Sequence, residues 1–241
     1  MINRAIAPSV LLAISVVLIP TASASVVGTL NLTSGSQGVI VSAGAIDWTP
    51  MGTGTGTFDS AFGTNLTYGA GTPLPITAGI GSIMDLVAPT TFPVADFMTF
   101  PTIPGLTFML ESLGPSSPNS NCAGVTVIGQ SCSINSASPF ILTLLADGGT
   151  AVTLSARGTV KDGMGGPDST WVGSFTTQLN KLTPAVIQTD FLTKPGFAIT
   201  SSYSGSFVAT AGSAVPEPSS MALAGLGLLL LSRVRFRRKQ A

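Results

Sequence analysis

The chain contains ten carboxylate residues, two cysteines and no histidine, and this inventory limits the chemistry it can perform. Without histidine, Ser-His-Asp and Cys-His catalysis and the usual imidazole metal sites are excluded. Ser-Lys and paired-carboxylate mechanisms remain available, and a glycosidase needs two carboxyl groups about 5–10 Å apart. No pair of acids stands out by its position in the sequence. The residues therefore indicate no catalytic group and no cofactor, and predict that the protein is not an enzyme.

The segment from Asp162 to Asp168 is a weak candidate for a calcium site. Its sequence, DGMGGPD, places two carboxylates on a glycine-rich loop, and carboxylate oxygens are ligands that Ca²⁺ prefers. The loop lacks the alternating acids and the distal glutamate of an EF-hand. A solvated turn between two strands is the alternative, and we favour it.

Cys122 and Cys132 are the two cysteines of the chain. Two cysteines favour a disulfide if the chain is exported to an oxidising compartment, and the bond here would close a loop of about eleven residues and stabilise the fold by about 2–3 kcal/mol. A metal site is the alternative, but it would lack further thiol or imidazole ligands. We predict a disulfide that holds a surface loop or hairpin.

Four large aromatic residues could build a platform that stacks on sugar rings. They are Trp48, Tyr68, Trp171 and Tyr203. Large rings are more often part of a core, however. Trp171 alternates in phase with Phe175 and Leu179, which predicts that it is buried.

The elements that carry these residues follow a period of two. Phe140–Leu145, the Asp-Gly-Gly turn that follows, and 151–160 have the pattern of a hairpin. Alternation continues through Trp171–Leu179 and Phe197–Ala209, and no sustained 3.6-residue apolar stripe argues for a helix there. The N-terminal half is less regular. Four shorter strands are expected there, at Val26–Leu32, Val39–Val41, Ala45–Thr49 and Gly56–Phe58.

Many short strands joined by glycine and proline turns predict an all-β fold. We expect an antiparallel β-sandwich, with a jelly roll as one option. Four prolines between residues 86 and 106 predict edges and loops in that segment.

Charge is distributed unevenly along the chain. Residues 25–214 carry four basic residues and nine carboxylates, a net charge of −5. A mildly acidic region lacks the clustered Lys and Arg that bind phosphate, so we expect no nucleic-acid partner.

The N-terminus has the composition of a secretory signal peptide. Arg4 precedes a mainly apolar run from Ala5 to Ile19, and a small-x-small ending follows in which Ala22 and Ala24 would fit a signal peptidase. We expect cleavage after Ala24. An uncleaved membrane anchor is the alternative.

The C-terminus has three consecutive parts. Pro216, Glu217 and Pro218 cannot continue a helix or strand, and an uncharged apolar run, 219–232, follows them. The run ends in a basic cluster. Its members are Arg233, Arg235, Arg237, Arg238 and Lys239.

These features predict a single short transmembrane helix. Its fourteen residues extend about 21 Å, less than the roughly 30 Å of a hydrocarbon core, so the bilayer would thin locally. The basic cluster would stay cytoplasmic and leave the preceding domain outside.

This tail resembles the PEP-CTERM sorting signal, in the order Val-Pro-Glu-Pro, apolar helix and arginine-rich end, over residues 215–241. The resemblance implies recognition by an exosortase, a membrane transpeptidase, with Pro216, Glu217 and Pro218 as the processing motif. It also implies a surface or biofilm-matrix protein of an exopolysaccharide-producing Gram-negative bacterium. It carries no information about the fold of the preceding residues.

The sequence thus predicts three parts: a signal peptide (1–24), an exported β-rich domain (25–213) and a sorting and anchor segment (214–241). The expected function is that of a structural protein of the cell surface or extracellular matrix. It would be exported across the inner membrane and held there by its helix before processing. Expected partners are signal peptidase, exosortase, membrane lipid and, as a candidate, exopolysaccharide. The alternatives are a carbohydrate-binding module or adhesin, and a polysaccharide hydrolase.

Overall fold

The computed structural model describes residues 25–42, 45–49 and 54–212. The predicted signal peptide and the predicted sorting tail lie outside these residues. The described part of the chain is mostly antiparallel β-structure, as the alternating pattern predicts.

The strands are β1 (Gly28–Thr33), β2 (Val39–Ser42), β3 (Ala45–Trp48), β4 (Thr55–Ser60), β5 (Thr67–Tyr68), β6 (Thr72–Pro73), β7 (Gly81–Met84), β8 (Leu86–Val87), β9 (Val94–Thr99), β10 (Thr107–Leu113), β11 (Ser131–Cys132), β12 (Phe140–Leu144), β13 (Thr150–Lys161), β14 (Ser169–Leu179), β15 (Ala198–Ser201) and β16 (Ser204–Thr210). A 3₁₀ turn (Cys122–Gly124) and one helix, α1 (Pro184–Thr193), complete the described elements.

Eight of these strands form a closed, barrel-like sheet in the order β10-β9-β7-β4-β1-β16-β14-β13, because β10 also pairs with β13. One edge of the long strand β13 bonds to β14 through residues 150–160. The other edge bonds to β12 through residues 150–154 and to β10 through residues 156–161. The predicted two-sheet sandwich is therefore wrong in architecture, although the antiparallel all-β class is confirmed. The reason is that one long edge serves two partners.

A smaller sheet, in the order β15-β2-β3-β8, packs against the inside of the closed sheet. Trp48 of β3 brings its ring within 5.5 Å of Phe175 and 5.8 Å of Phe97, centroid to centroid. Both rings belong to the closed sheet, so the two sheets share one aromatic core.

The alternation predicted for the segments that form β13, β14 and β16 is confirmed. Leu154, Ala156 and Val160 are buried in β13, whereas Arg157 between them is exposed. In β16 the pattern alternates at every residue, with Phe207 buried. Because side chains of a strand alternate between its two faces, the polar set of each strand lies on the outside of the closed sheet.

Two expectations are wrong, one about the segment that forms α1 and one about the proline-rich segment 86–106. Helix α1 lies where no helix was predicted, since it fully buries only Pro184 and Ile187 and so shows no apolar stripe. Its start signal is nevertheless in the sequence: Thr183 accepts a hydrogen bond from the Val186 amide, and Pro184 occupies the first turn. In the proline-rich segment, β9 pairs on both edges, with β7 and β10, because Pro93 and Pro101 flank the strand and do not interrupt it.

Candidate functional site

The two ends of the described chain leave the fold side by side. Strands β1 and β16 are antiparallel neighbours, with Gly28 opposite Ala209. The chain therefore enters β1 and leaves β16 at the same end of the closed sheet. Next to this end, the Gly212 backbone lies so close to the Asp168 carbonyl that a Cβ at Gly212 would overlap it. We call this end the exit pole and define it by Val26, Gly69, Gly105, Gly212 and the turn 162–168.

Asp162 fastens the exit pole together. Its side chain is buried, and its Oδ2 accepts a 2.8 Å hydrogen bond from the Gly69 amide, between β5 and β6. Its Oδ1 accepts a 2.9 Å bond from the Met164 amide within its own turn. The carboxylate thus joins two turns that are 93 residues apart in sequence.

The calcium candidate looks different in this geometry. Both Asp162 oxygens are engaged by backbone amides, and Asp168 lines a separate cavity of about 70 Å³ with Asp96 and Lys161. Within residues 25–42, 45–49 and 54–212, no group of three or more His, Cys, Asp or Glu residues is placed to hold a metal ion. The geometry thus gives Asp162 a structural contact. This agrees with the favoured interpretation of the loop as a turn between two strands.

Replacing Asp162 with alanine should therefore lower the free energy of unfolding by about 1–3 kcal/mol, because two amides lose their acceptor in a buried place. Chemical denaturation of the variant would measure this loss. Asp168→Asn, at the other end of the turn, is the matched control and should change stability by no more than about 0.5 kcal/mol. A rise in Tm on adding Ca²⁺ that both substitutions abolish would contradict this assignment and support the metal site.

The predicted disulfide is present and lies away from the exit pole. Cys122 and Cys132 are bonded, and β11 and β12 place this loop beside Leu142–Leu144, which pair with the first residues of β13. Gln188 of α1 ties the loop to the helix. Its Oε1 accepts from the Cys122 amide, and its Nε2 donates to the Ser120 and Ile134 carbonyls.

At this disulfide-bonded end, the loop between the cysteines presents two apolar side chains to solvent, Val127 and Ile128. They sit between the two cysteines in a loop whose Thr126 and Val127 amides donate to the Gln130 Oε1. We call this end the distal end and define it by the loop 122–132 and α1. The sequence predicted the loop but not its link to α1, since the start of the helix was not recognised.

The large aromatic residues considered for a sugar-binding platform lie mainly in the core. Trp48, Trp171 and Tyr203 are buried, and Tyr68 is half-buried. Trp171 contacts the rings of Phe97, Phe108 and Phe207, as its phase predicted. The sugar platform considered for these four residues is therefore wrong for the three buried ones. Burial and the nearby Asp59 carboxylate raise the pKa of Tyr203.

Among the described residues, Asp47 and Asp85 are the one pair of carboxylates in which one group shifts the pKa of the other, here that of Asp85. Burial raises the pKa of Asp85, the Trp48 amide that donates to its Oδ1 lowers it, and Asp47 raises it further. A buried oxygen of Asp47 has no hydrogen-bond partner in the described part of the chain. Because a raised pKa means that the folded state holds the Asp85 proton more tightly than the unfolded state does, Asp85 lowers the stability of the fold as pH rises from its unfolded-state pKa through its folded-state pKa. Neither residue lines a described cavity.

An uncharged groove runs between the smaller sheet and the loop before β12. Two adjoining cavities of about 300 Å³ each share Ser42, Ala88, Ala137, Pro139 and Phe140 as walls. The other described lining residues are also uncharged. In the first cavity, Phe92 is a second aromatic wall residue beside Phe140. We call this feature the neutral groove.

Beyond Gly212 the chain continues into the three-part tail. Residues 214–239 match the family model of the PEP-CTERM protein-sorting motif. The tail is a PEP-CTERM sorting signal. The resemblance stated from the sequence is thereby confirmed, and the match lies directly after the exit pole.

The PEP-CTERM motif implies processing by an exosortase, with export and sorting to the cell surface. The predicted processing motif Pro216, Glu217 and Pro218, the predicted membrane helix and the basic cluster all lie outside the described residues, as do Ala22 and Ala24. Within residues 25–212, apart from the undescribed 43–44 and 50–53, no helix is long and apolar enough to cross a membrane. Neither a curated protein nor a solved structure matches the chain.

Proposed function

We propose that this protein is an exosortase-sorted structural component of the cell surface or extracellular matrix, without catalytic activity, in an exopolysaccharide-rich biofilm. The observation that carries the proposal is the PEP-CTERM tail placed immediately after the last strand of a closed β domain. In this proposal signal peptidase removes residues 1–24, and the apolar run 219–232 holds the chain in the inner membrane until exosortase acts.

Several contacts support a structural role for the domain. The buried carboxylate Asp162 binds backbone amides, and the Asp59 Oδ1 accepts from the Gly79 amide. The described walls of the neutral groove carry no acid, base or thiol. A hydrolase would need two carboxylates facing one cleft, so the groove supports binding better than hydrolysis.

A carbohydrate-binding module or adhesin is the second candidate, because the neutral groove has Phe92 partly exposed in its wall. A neutral groove with aromatic walls fits an uncharged sugar chain. A glycan array that includes the host's exopolysaccharide tests this candidate. Binding lost in Phe92→Ala would support it, whereas silence across the array would remove it.

Deleting residues 215–241 tests the sorting function. Because the tail supplies the address and the proposed anchor, the shortened domain should move from the membrane and surface fractions to the periplasm or medium. Quantitative immunoblotting of cell fractions measures the change. A distribution identical to that of the full chain would contradict the proposal.

A further inference from the structure

We propose that the exit pole is a lipid-facing surface, with the Met164 side chain placed in the membrane interface while the tail is anchored. This inference rests on the proposed function, because it requires the tail in the bilayer. Its evidence comes from where the chain leaves the fold and from the side chains that surround that point.

The tether between the domain and the proposed membrane helix is short. Strand β16 ends at Thr210 and the apolar run begins at Ser219, so eight residues, 211–218, span the gap. The nine Cα–Cα steps from Thr210 to Ser219 reach at most about 32 Å, at 3.3–3.6 Å per step. The exit pole therefore stays within roughly that distance of the interface.

The closed sheet is longer than the tether. Strand β13 runs from the distal end to the exit pole over 12 residues, or about 36 Å at 3.3 Å per step. Bringing the distal end to the bilayer would require a tether of about 32 Å to lie almost fully extended along this length, which costs conformational entropy, whereas the exit pole reaches the bilayer without that extension. Geometry thus selects the exit pole as the surface that meets lipid.

Met164 is more exposed than Val27, the other exposed apolar side chain beside the point where the chain enters β1. It is 70% exposed and lies between Gly163 and Gly165, at the tip of the β13–β14 turn. An unbranched thioether adapts to irregular apolar surroundings, and a single exposed apolar side chain gains free energy on entering the interface.

The turn holds this side chain in place. The Met164 amide donates to Asp162, and the same carboxylate binds the Gly69 amide, so the tip is fixed to the neighbouring turn. Because the turn is already ordered, contact with lipid costs little conformational entropy. Lys161 and Asp168 flank the turn, where their polar groups can remain among the headgroups.

Ile128 at the distal end provides a matched control. It is 64% exposed, apolar and also in an ordered loop, but lies by β12 at the opposite end of β13. A general affinity of exposed apolar side chains for lipid would affect both positions. An effect of the tether would affect Met164 alone.

The experiment uses the full chain in vesicles of phosphatidylethanolamine and phosphatidylglycerol. Met164→Cys and Ile128→Cys are each labelled with an environment-sensitive fluorophore under non-reducing conditions, which preserve the Cys122–Cys132 bond. Lipids with a nitroxide near the headgroup should quench the label at 164 at least about three-fold more than the label at 128, given an insertion depth of about 5–10 Å. Flotation of the same vesicles measures anchoring independently.

The outcomes separate the two ideas. Vesicles that float with the protein but quench both labels equally, or the label at 128 more, would overturn the lipid-facing exit pole and leave the anchor intact. A chain that does not float would overturn both the anchor and this inference.

Discussion

Replacing Trp171 with alanine should lower the free energy of unfolding by about 3–5 kcal/mol, the cost of removing a large ring from a packed core. Trp171 is 1% exposed and lies 5.6–6.5 Å, centroid to centroid, from three phenylalanine rings. Its indole N–H also donates to the carbonyls of Met109 and Thr159, both at 3.0 Å. These carbonyls belong to β10 and β13, the two strands whose pairing closes the sheet.

The loss should appear as a fall in Tm of about 6–20 °C, since a domain of this size loses roughly 2–4 °C per kcal/mol. Differential scanning calorimetry measures it. Val172→Ala is the matched control, because the next residue on β14 points outward and is 58% exposed. Equal stability of the two variants would mean that Trp171 is not part of a closed core.

Trp171→Phe separates the ring from its hydrogen bonds. Phenylalanine keeps most of the apolar contact but leaves the Met109 and Thr159 carbonyls without this donor. We therefore expect a loss smaller than that of the alanine variant, about 1–3 kcal/mol.

Substituting alanine for Pro216, Glu217 and Pro218 together should leave the tail unprocessed. These three residues are the part of the tail that the PEP-CTERM resemblance assigns to exosortase recognition. Without them, the released form should fall by at least about ten-fold, the effect expected when a recognition motif is removed. The uncut chain should accumulate in the membrane fraction, which immunoblotting with an antibody to the domain would show.

Ser219→Ala with Ser220→Ala is the control, since these residues follow the motif directly and keep the length of the tail. It should be processed like the unmodified chain. Normal release of the triple variant would place exosortase recognition elsewhere in the tail.

The alternating strands could be read from the sequence because their burial has a local cause. Leu154, Ala156 and Val160 follow a strict period of two, and the Asp-Gly-Gly turn before them fixes the hairpin. The disulfide could likewise be predicted from the sequence, since each of the two cysteines in an exported chain has only the other as a partner.

Closure of the sheet could not be predicted from the sequence, because it depends on contacts between strands that are distant in the chain. Gly158 shows why. In the sequence it is an interruption in β13, but in the fold its missing Cβ allows the Met109 carbonyl to approach and leaves room beneath the Trp171 indole. The hydrogen bond that the Gly69 amide donates to Asp162 also joins distant parts of the chain, since 93 residues separate the two partners. It therefore could not be predicted from the local sequence either. Helix α1 was not predicted for a different reason. Its sequence contains a capping signal but no apolar stripe.

The proposed function requires a chain that carries a sorting signal at each end and displays a closed β domain. Mass spectrometry of the mature protein, taken from the surface fraction of the native host, tests this most directly. We expect a chain that begins at Ser25, ends near Pro216–Pro218 and has a mass about 2 Da below that of the reduced form, the two hydrogens lost to one disulfide. A surface protein that retains all of residues 214–241 would contradict exosortase sorting as the route to the surface.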